Sequence, residues 1–396
     1  MNKETIYAKA ESIAEKLYDI NDWMYHNPEI GHQEFKSSEK LANLLKEHGF
    51  KVTKPYGGME TAFRAEYDTG NEGPTIAILA EYDALPGIGH GCGHNVIGTG
   101  TVGGAIALKE AMEDLPGKLV MLGCPAEEGA VDNAGGKVLL VQAGAFEDID
   151  AAIMFHPTTT EHRLGSTSNA RYAMEIVYKG KTAHAAGAPH EGINALDAAI
   201  QTFNGWNALR QHVKEDVRIH GVITEGGQAP NIVPDRAVIR MYARSKDINY
   251  LYEVVEKVKN CAKAGALAAG AEVEMRKTAN TYKNIVNNKA LSDLFVKNME
   301  ALGEEVLPSA GHGAGSTDMS DVTQEIPGMH PYISVSKEKL NGHSTDLADA
   351  TVSETGHKAI LLGAKSMAGI AYDLFTKPEH LKAAKEEFES WKKENK

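Results

Sequence analysis

Short apolar runs alternate along this chain with longer stretches whose apolar residues recur at helical spacing, so strands and helices are predicted to take turns. Residues 2–24 predict one amphipathic helix. Asn27-Pro28-Glu29 breaks it, and residues 36–48 predict a second helix, stopped by Gly49. Strands are expected at 61–67 and 75–80, then a Gly/Ala-rich helix over 96–112, a strand over 118–123, a helix over 136–143 and a strand over 151–155. Strands interleaved with helices pack as a mostly parallel sheet with helices on both faces, which makes the fold class α/β.

The texture changes near Gly165, where Gly165-Ser-Thr-Ser-Asn-Ala170 is small and polar, as a linker would be. Residues 172–178 then alternate as a strand, 194–209 carry helical periodicity, 231–244 read as a long strand and 248–269 as a long helix. The first texture returns afterwards, with a helix over 289–302, a Gly-rich loop over 311–315, a strand over 332–335 and closing helices. A chain of 396 residues exceeds one ordinary core. The expected division is residues 1–167 and 283–396 as two parts of one domain, with 168–282 as an inserted α+β domain.

Composition narrows the function classes. With 42% hydrophobic and 24% charged residues the chain reads as a soluble globular protein. A formal net charge of −13 leaves nothing to neutralise phosphates, which excludes a nucleic-acid partner. Lysines gather over 382–396, but glutamates interleave them as on a solvated helix face. Cys92, Cys124 and Cys261 are too few and too scattered for a disulfide framework. Residues 1–20 lack the apolar core of a signal peptide, and no run approaches the ~20 apolar residues that a membrane span needs. A reducing cytoplasm, with no membrane partner, is the expected location.

The densest chemistry lies in Gly89-His90-Gly91-Cys92-Gly93-His94-Asn95. Side chains that bind metal when deprotonated are separated here by glycines, which let the backbone fold tightly and aim several donors at one spot. The loop follows a strand and precedes a helix, the place where open α/β sheets bind ligands. A Gly-rich turn with incidental histidines is the plainer alternative. Pro125-Ala-Glu-Glu-Gly129 leaves the next strand in the same way. Adjacent glutamates point apart, so one can ligate a metal while its neighbour takes a proton from water, unless the turn is merely a solvated acidic one. His156 ends a third strand in Met154-Phe-His-Pro157, and His343 follows late in Asn341-Gly-His-Ser344. Each histidine alone would pass for a structural one. Cys92, His94, Glu128, His156 and His343 are five ligand candidates, whereas one tetrahedral zinc uses four; a pair of metals sharing the thiolate accommodates all five. Imidazole, carboxylate and thiolate suit Zn, Mn, Co or Ni better than Ca or Mg. Asp83, in Glu81-Tyr-Asp-Ala-Leu-Pro86, either holds a ligand histidine by its second ring nitrogen or caps the turn before Pro86.

Other signals are weaker. Gly98-Thr-Gly-Thr-Val-Gly103 matches the dinucleotide fingerprint G-x-G-x-x-G, but it falls inside an expected helix instead of at a strand end, where close packing explains small residues as well. In the insert, His184 lies among small residues in Gly180-Lys-Thr-Ala-His-Ala-Ala-Gly187. Arg240, Tyr242 and Arg244 share one strand face, Asn231 opens that strand, and a plain exposed sheet face is the alternative.

These motifs, in this order, resemble the amidohydrolase branch of the aminoacylase and carboxypeptidase-G type metallopeptidase family over nearly the whole chain. The resemblance rests on Asn27-Pro-Glu-Ile-Gly-His-Gln-Glu34, Asp83-Ala-Leu-Pro86, Cys92-Gly-His94-Asn, Pro125-Ala-Glu-Glu-Gly129, His156-Pro157, Gly180-Lys-Thr-Ala-His184-Ala-Ala and Asn231-Ile-Val-Pro-Asp235. Glu81-Tyr-Asp-Ala-Leu-Pro, Gly91-Cys-Gly-His-Asn95 and Gly315-Ser-Thr-Asp318 are similar to the sub-branch of aminobenzoyl-glutamate-utilisation hydrolases and dipeptidase-like proteins. The resemblance implies a metal-dependent amidohydrolase or dipeptidase with two divalent ions, Zn or Mn foremost. It implies Cys92 as bridging ligand, Glu128 and His343 completing one metal position, His94 and His156 completing the other, and Glu127 as general base. His184 would steady the oxyanion, in this family often across a homodimer interface made by the insert, which acts as a lid. Asn231 and Arg244 would hold the substrate's carbonyl or carboxylate, and the Gly315–Asp318 loop would line the same pocket. Many members of the family this chain resembles carry histidine where Glu81 stands and an aspartate bridge where Cys92 stands, although the amidohydrolase branch shares the cysteine, and Asn95 replaces the aspartate often found after Cys-Gly-His. The rival functions are an N-acetyl amino acid deacetylase, a non-catalytic partner subunit of the same fold, and a nicotinamide enzyme built on Gly98–Gly103.

Overall fold

The strand Thr75–Glu81 sends Ile76, Ile78 and Ala80 into one apolar cluster and Ala77 and Leu79 into another. A strand alternates its side chains between two faces, so both faces of this sheet are covered and the run reads as continuously apolar. The structure, a computed structural model, describes residues 2–112, 115–311, 313 and 315–395. It divides into two compact units, one made of Met1–Thr167, Ile285–Gly313 and Thr317–Lys396, the other of Ser168–Asn284 and Ala314–Ser316.

In the first unit a six-stranded sheet runs in the order Lys51–Thr53, Phe63–Asp68, Lys118–Cys124, Thr75–Glu81, Ala151–Ile153, Gly328–Met329. Its last four strands pair in parallel and the first two antiparallel. The helix His94–Lys109 crosses between Thr75–Glu81 and Lys118–Cys124 in chain order and packs closely on the helix Glu354–Thr376: a Cβ on Gly104 would lie 2.8 Å from the Ala364 carbonyl oxygen. Gly103 likewise leaves room for Leu17, and Gly100 for Phe155. The glycines of the apparent dinucleotide fingerprint are therefore a packing surface inside a helix.

Several expected elements need correction. The single helix over 2–24 is two, Lys3–Ser12 and Ala14–His26, divided at Ile13, whose backbone leaves helical geometry. The strand over 151–155 stops at Ile153, and His156 instead opens His156–Thr158, part of a second, four-stranded sheet in the order Val306–Leu307, His162–Arg163, Tyr332–Ser334, His156–Thr158. Strands of two or three residues carry too few positions to show a period.

The second unit is an antiparallel sheet in the order Glu272–Lys277, Ala170–Lys179, Arg236–Ser245, Arg218–Glu225, with helices Ala195–Leu209 and Ile248–Ala269 on one face. Its long strand begins at Arg236, so Asn231 does not open it. Pro234 has no N–H for a ladder, and residues 231–233 pair with 183–185 through Ala185 N to Asn231 O and Val233 N to Ala183 O. Among the described residues no helix is long and apolar enough to cross a membrane.

Candidate metal centre

Three backbone constraints bring distant side chains to one spot. Gly93, at φ 79°, caps the helix that starts at His94, and a Cβ there would strike the Pro157 ring at 2.7 Å. Gly91 gives its carbonyl to His343 N at 3.0 Å, and a Cβ on it would come within 2.9 Å of Ser344 O. His343 itself sits at φ 57°, a region that costs a non-glycine residue about 1–3 kcal/mol and persists only where surroundings impose it. Ala126, just before the paired glutamates, is also left-handed at φ 55°, with its N–H on Glu34 Oε1 and its carbonyl on Gly135 N.

The donors then fall into triads whose atoms lie within 4.8 Å of one another: Cys92 with His94 and His156, and Cys92 with Glu128 and His343. Cys92 belongs to both. Glu127 forms a third group with His94 and Glu128, and a fourth with Glu81 and Asp318. His90, from the same loop, is buried but joins none of these groups.

The ring tautomers are set by their other nitrogens. His94 Nδ1 lies 2.9 Å from Asp83 Oδ1 and donates to it, so Nε2 is the nitrogen left to face a cation once its proton is displaced; this buried atom has no hydrogen-bond partner. His156 Nδ1 donates to the Pro157 carbonyl at 2.7 Å, which turns Nε2 toward Cys92 Sγ at 3.5 Å. Asp83 Oδ2 accepts from Glu128 N at 2.9 Å, so one carboxylate orients ligand candidates of both triads. Glu128 Oε1, 3.7 Å from His343 Nε2, is likewise buried without a hydrogen bond. Buried donor atoms without hydrogen bonds, within reach of one another, fit divalent cations, which is the chemistry this donor set offers.

Electrostatics agree. Burial raises the Cys92 thiol far above its ordinary range, helped by Glu128 and Glu127. Burial together with Glu81 and Glu128 raises Glu127, and burial raises Glu128 against the pull of His94. His156 is lowered to about 4 by burial. Burial opposes protonation of His94, but Asp83, Cys92 and Glu81 override it and raise its pKa. Crowded buried acids of this kind are what a bound dication reverses.

Three residues of the centre were not singled out from the sequence. Lys137, fully buried, pairs with Glu81 and Asp318, and its backbone N–H also reaches Asp318 Oδ2 at 2.8 Å. Glu34 holds Ala126, and His330 lies 5.4 Å from the His156 ring. A signal for Lys137 existed: a lysine in the apolar helix Gly136–Gln142 and a glutamate ending an apolar strand imply each other. Asn95 donates to Thr351 Oγ1 at 2.8 Å, which an aspartate could not do.

In the second unit His184 is exposed, with Nδ1 accepting from Ala186 N at 3.3 Å and Gly187 N at 3.1 Å. Asn231 is exposed, Arg244 is half-buried and donates to Ser316 Oγ at 3.3 Å, and Gly315 O accepts from Asn169 N at 2.9 Å.

Known proteins share this arrangement of chain and fold. The sequence is 34% identical to the Xaa-Arg dipeptidase of Mus musculus, covering 96% of this chain and 90% of that one. It is 30% identical to a subunit of the p-aminobenzoyl-glutamate hydrolase of Escherichia coli, covering 92% and 90%, and 26% identical to the N-acetyl-L-cysteine deacetylase of Bacillus subtilis, covering 84% and 83%. Its fold is similar to the aminobenzoyl-glutamate utilization protein of Klebsiella pneumoniae at a TM-score of 0.74, with 21% identity over 93% of this chain and 98% of that one. It is also similar, at 0.69 and 20% identity over 92% and 99%, to a Bacillus subtilis structure described as a dinuclear metal-binding peptidase. Residues 62–372 match Peptidase family M20/M25/M40, and with relatives of 30% identity or more covering over nine-tenths of the chain, the protein belongs to that family.

Proposed function

We propose that this family member is a metal-dependent amidohydrolase that cleaves the amide joining an acyl or aminoacyl group to an amino acid, as in a dipeptide or an N-acyl amino acid of aminobenzoyl type. The observation that carries the reading is the membership of Cys92 in both donor triads, since one thiolate shared by two triads serves a pair of divalent ions. Glu128 and His343 complete one position, His94 and His156 the other, and Zn or Mn suits these ligands, with Co or Ni compatible. Bound there, such ions polarise a carbonyl and acidify water.

The chain's own residues supply the remaining chemistry. Glu127 takes the proton of the attacking water and returns it to the leaving amine. Asp83 fixes the His94 tautomer and the turn that carries Glu128. His184 accepts at Nδ1, which leaves its proton on Nε2 for donation to the developing oxyanion. Asn231 and Arg244 hold the substrate's carbonyl and carboxylate, and the loop from Gly315 lines the pocket. The working form is a cytoplasmic homodimer joined through residues 168–282, acting as a lid and dimerisation domain on a small-molecule substrate.

A second reading, an N-acetyl amino acid deacetylase with the same machinery, is favoured by the likeness to the Bacillus subtilis enzyme. A panel of dipeptides, aminobenzoyl-glutamate and acetylated amino acids separates the two, alongside elemental analysis of the purified protein. Glu127→Gln is expected to retain its ions while losing about 10²–10⁴-fold in rate. Amide hydrolysis at the normal rate by that variant overturns the mechanism, and such a rate loss rules out a non-catalytic role.

A further inference from the structure

One group of acids in the first unit already has its cation, and the chain supplies it. Glu81, Glu127 and Asp318 are buried, and each brings a carboxylate oxygen within 4.8 Å of the others. Carboxylates at that spacing, away from water, either share protons or gather around a cation. Lys137, 0% exposed, is that cation: its Nζ donates to Glu81 Oε1 and, at 2.5 Å, to Asp318 Oδ1. With its backbone N–H on Asp318 Oδ2, the same residue grips both oxygens of Asp318. Burial opposes a charge on Lys137, but Asp318 and Glu81 override it and raise its pKa, so the ammonium keeps its proton.

Local backbone geometry puts the lysine there. Gly135, at φ 103°, turns the chain into the helix Gly136–Gln142, and a Cβ on Gly136 would lie 1.9 Å from the Pro125 carbonyl oxygen. Only glycine lets the helix start that close to the segment carrying Glu127. Glu81 ends its strand beside Cys124 of the next, and Asp318 precedes the helix Met319–Thr323. A buried ion pair seldom stabilises more than apolar side chains of the same volume. The network therefore needs a reason beyond stability, and Glu127 provides one. Glu127 belongs to this group and also to the one it forms with His94 and Glu128, so a divalent ion beside Glu81 and Asp318 would compete for its carboxylate. An ammonium committed to Glu81 and Asp318 balances their charge with no open coordination position.

We propose that Lys137 is a positioning residue: its ammonium stands where a third divalent ion would otherwise bind, and so reserves Glu127 for water instead of metal. This rests on the reading of Glu127 as general base. The test uses Lys137→Met, since methionine matches lysine in length as far as Cε and lacks the ammonium. Zn content is counted by elemental analysis of the full chain at equilibrium with a fixed concentration of free Zn²⁺, beside kcat and KM. Lys137→Met is expected to hold one ion more per chain than the unaltered protein. It is expected to lose that ion again when Asp318→Asn is added, because Asp318 joins no other donor group among the described residues. Its kcat is expected to fall about 10²–10⁴-fold, as for loss of the base itself, with KM little changed. Lys137→Arg keeps the charge and is expected to keep the ion count and part of the rate. Unchanged ion content in Lys137→Met overturns the inference, whatever its rate. An extra ion with kcat intact upholds the exchange of cations but overturns Glu127 as the base. Should Lys137→Met fail to fold, the unaltered protein still decides. Equal Zn content with and without Asp318→Asn upholds the inference, whereas an ion that Asp318→Asn removes shows that metal occupies these acids and overturns it.

Discussion

Asp83 does two jobs with one carboxylate, accepting from His94 Nδ1 through Oδ1 and from Glu128 N through Oδ2. Asp83→Asn presents one of those donors with an NH2 group, so a ligand from each metal position loses its orientation. Metal affinity is expected to fall about 10–100-fold, read by competition with a chromogenic chelator. Glu34 is the other informative carboxyl. Burial and the neighbouring Asp83 raise its pKa from 4.5 to about 8. Between those values the folded state holds a proton that the unfolded chain has released. The stability this group contributes is thus complete below the unfolded pKa and is lost as pH rises through the folded one. Glu34→Gln keeps an acceptor for Ala126 N and is expected to flatten that loss, which amounts to a few kcal/mol at most; urea midpoints on either side of the interval check it. An unchanged pH slope would remove Glu34 from the account. At this scale the sequence was readable where a motif stated its own chemistry, as at Cys92, His94 and Glu127. It was unreadable where two charges meet only in space, as Glu81 and Lys137 do.

The helix His94–Lys109 shows how an element can serve a site by being featureless. Its glycines let the helix Glu354–Thr376 approach, and its first residue is a ligand candidate. Gly104→Ala improves local helix propensity by about 1 kcal/mol but drives a methyl against the backbone oxygen of Ala364, which has no flexible side chain to yield. A net destabilisation of about 1–3 kcal/mol is expected from denaturant midpoints; a stabilised variant would show that the two helices part easily. Elements with long or doubly buried patterns were legible, such as Thr75–Glu81 and the helix Ile248–Ala269. The strands Arg218–Glu225 and Glu272–Lys277 were not, because their largely exposed residues show no apolar alternation.

Across the whole molecule the centre concentrates buried acids, since Cys92, Glu127 and Glu128 are all pushed toward their protonated forms. Chelation is therefore expected to lower the melting temperature, and Zn or Mn to restore it. At saturation a thousandfold above Kd the gain per site is about 4 kcal/mol. An unchanged melting temperature after complete removal of metal would mean that the donors do not hold ions in the folded state. The backbone link between His343 and Gly91 has a consequence for biosynthesis. A growing polypeptide that has emerged only through His156 owns Cys92, His94 and Glu128 but lacks the clasp that closes the second triad. Chains fold from the amino end as they are made. On the proposed ligand assignment, full occupancy by two ions would wait until the ribosome has nearly finished, and a prematurely ended product would capture at most the first.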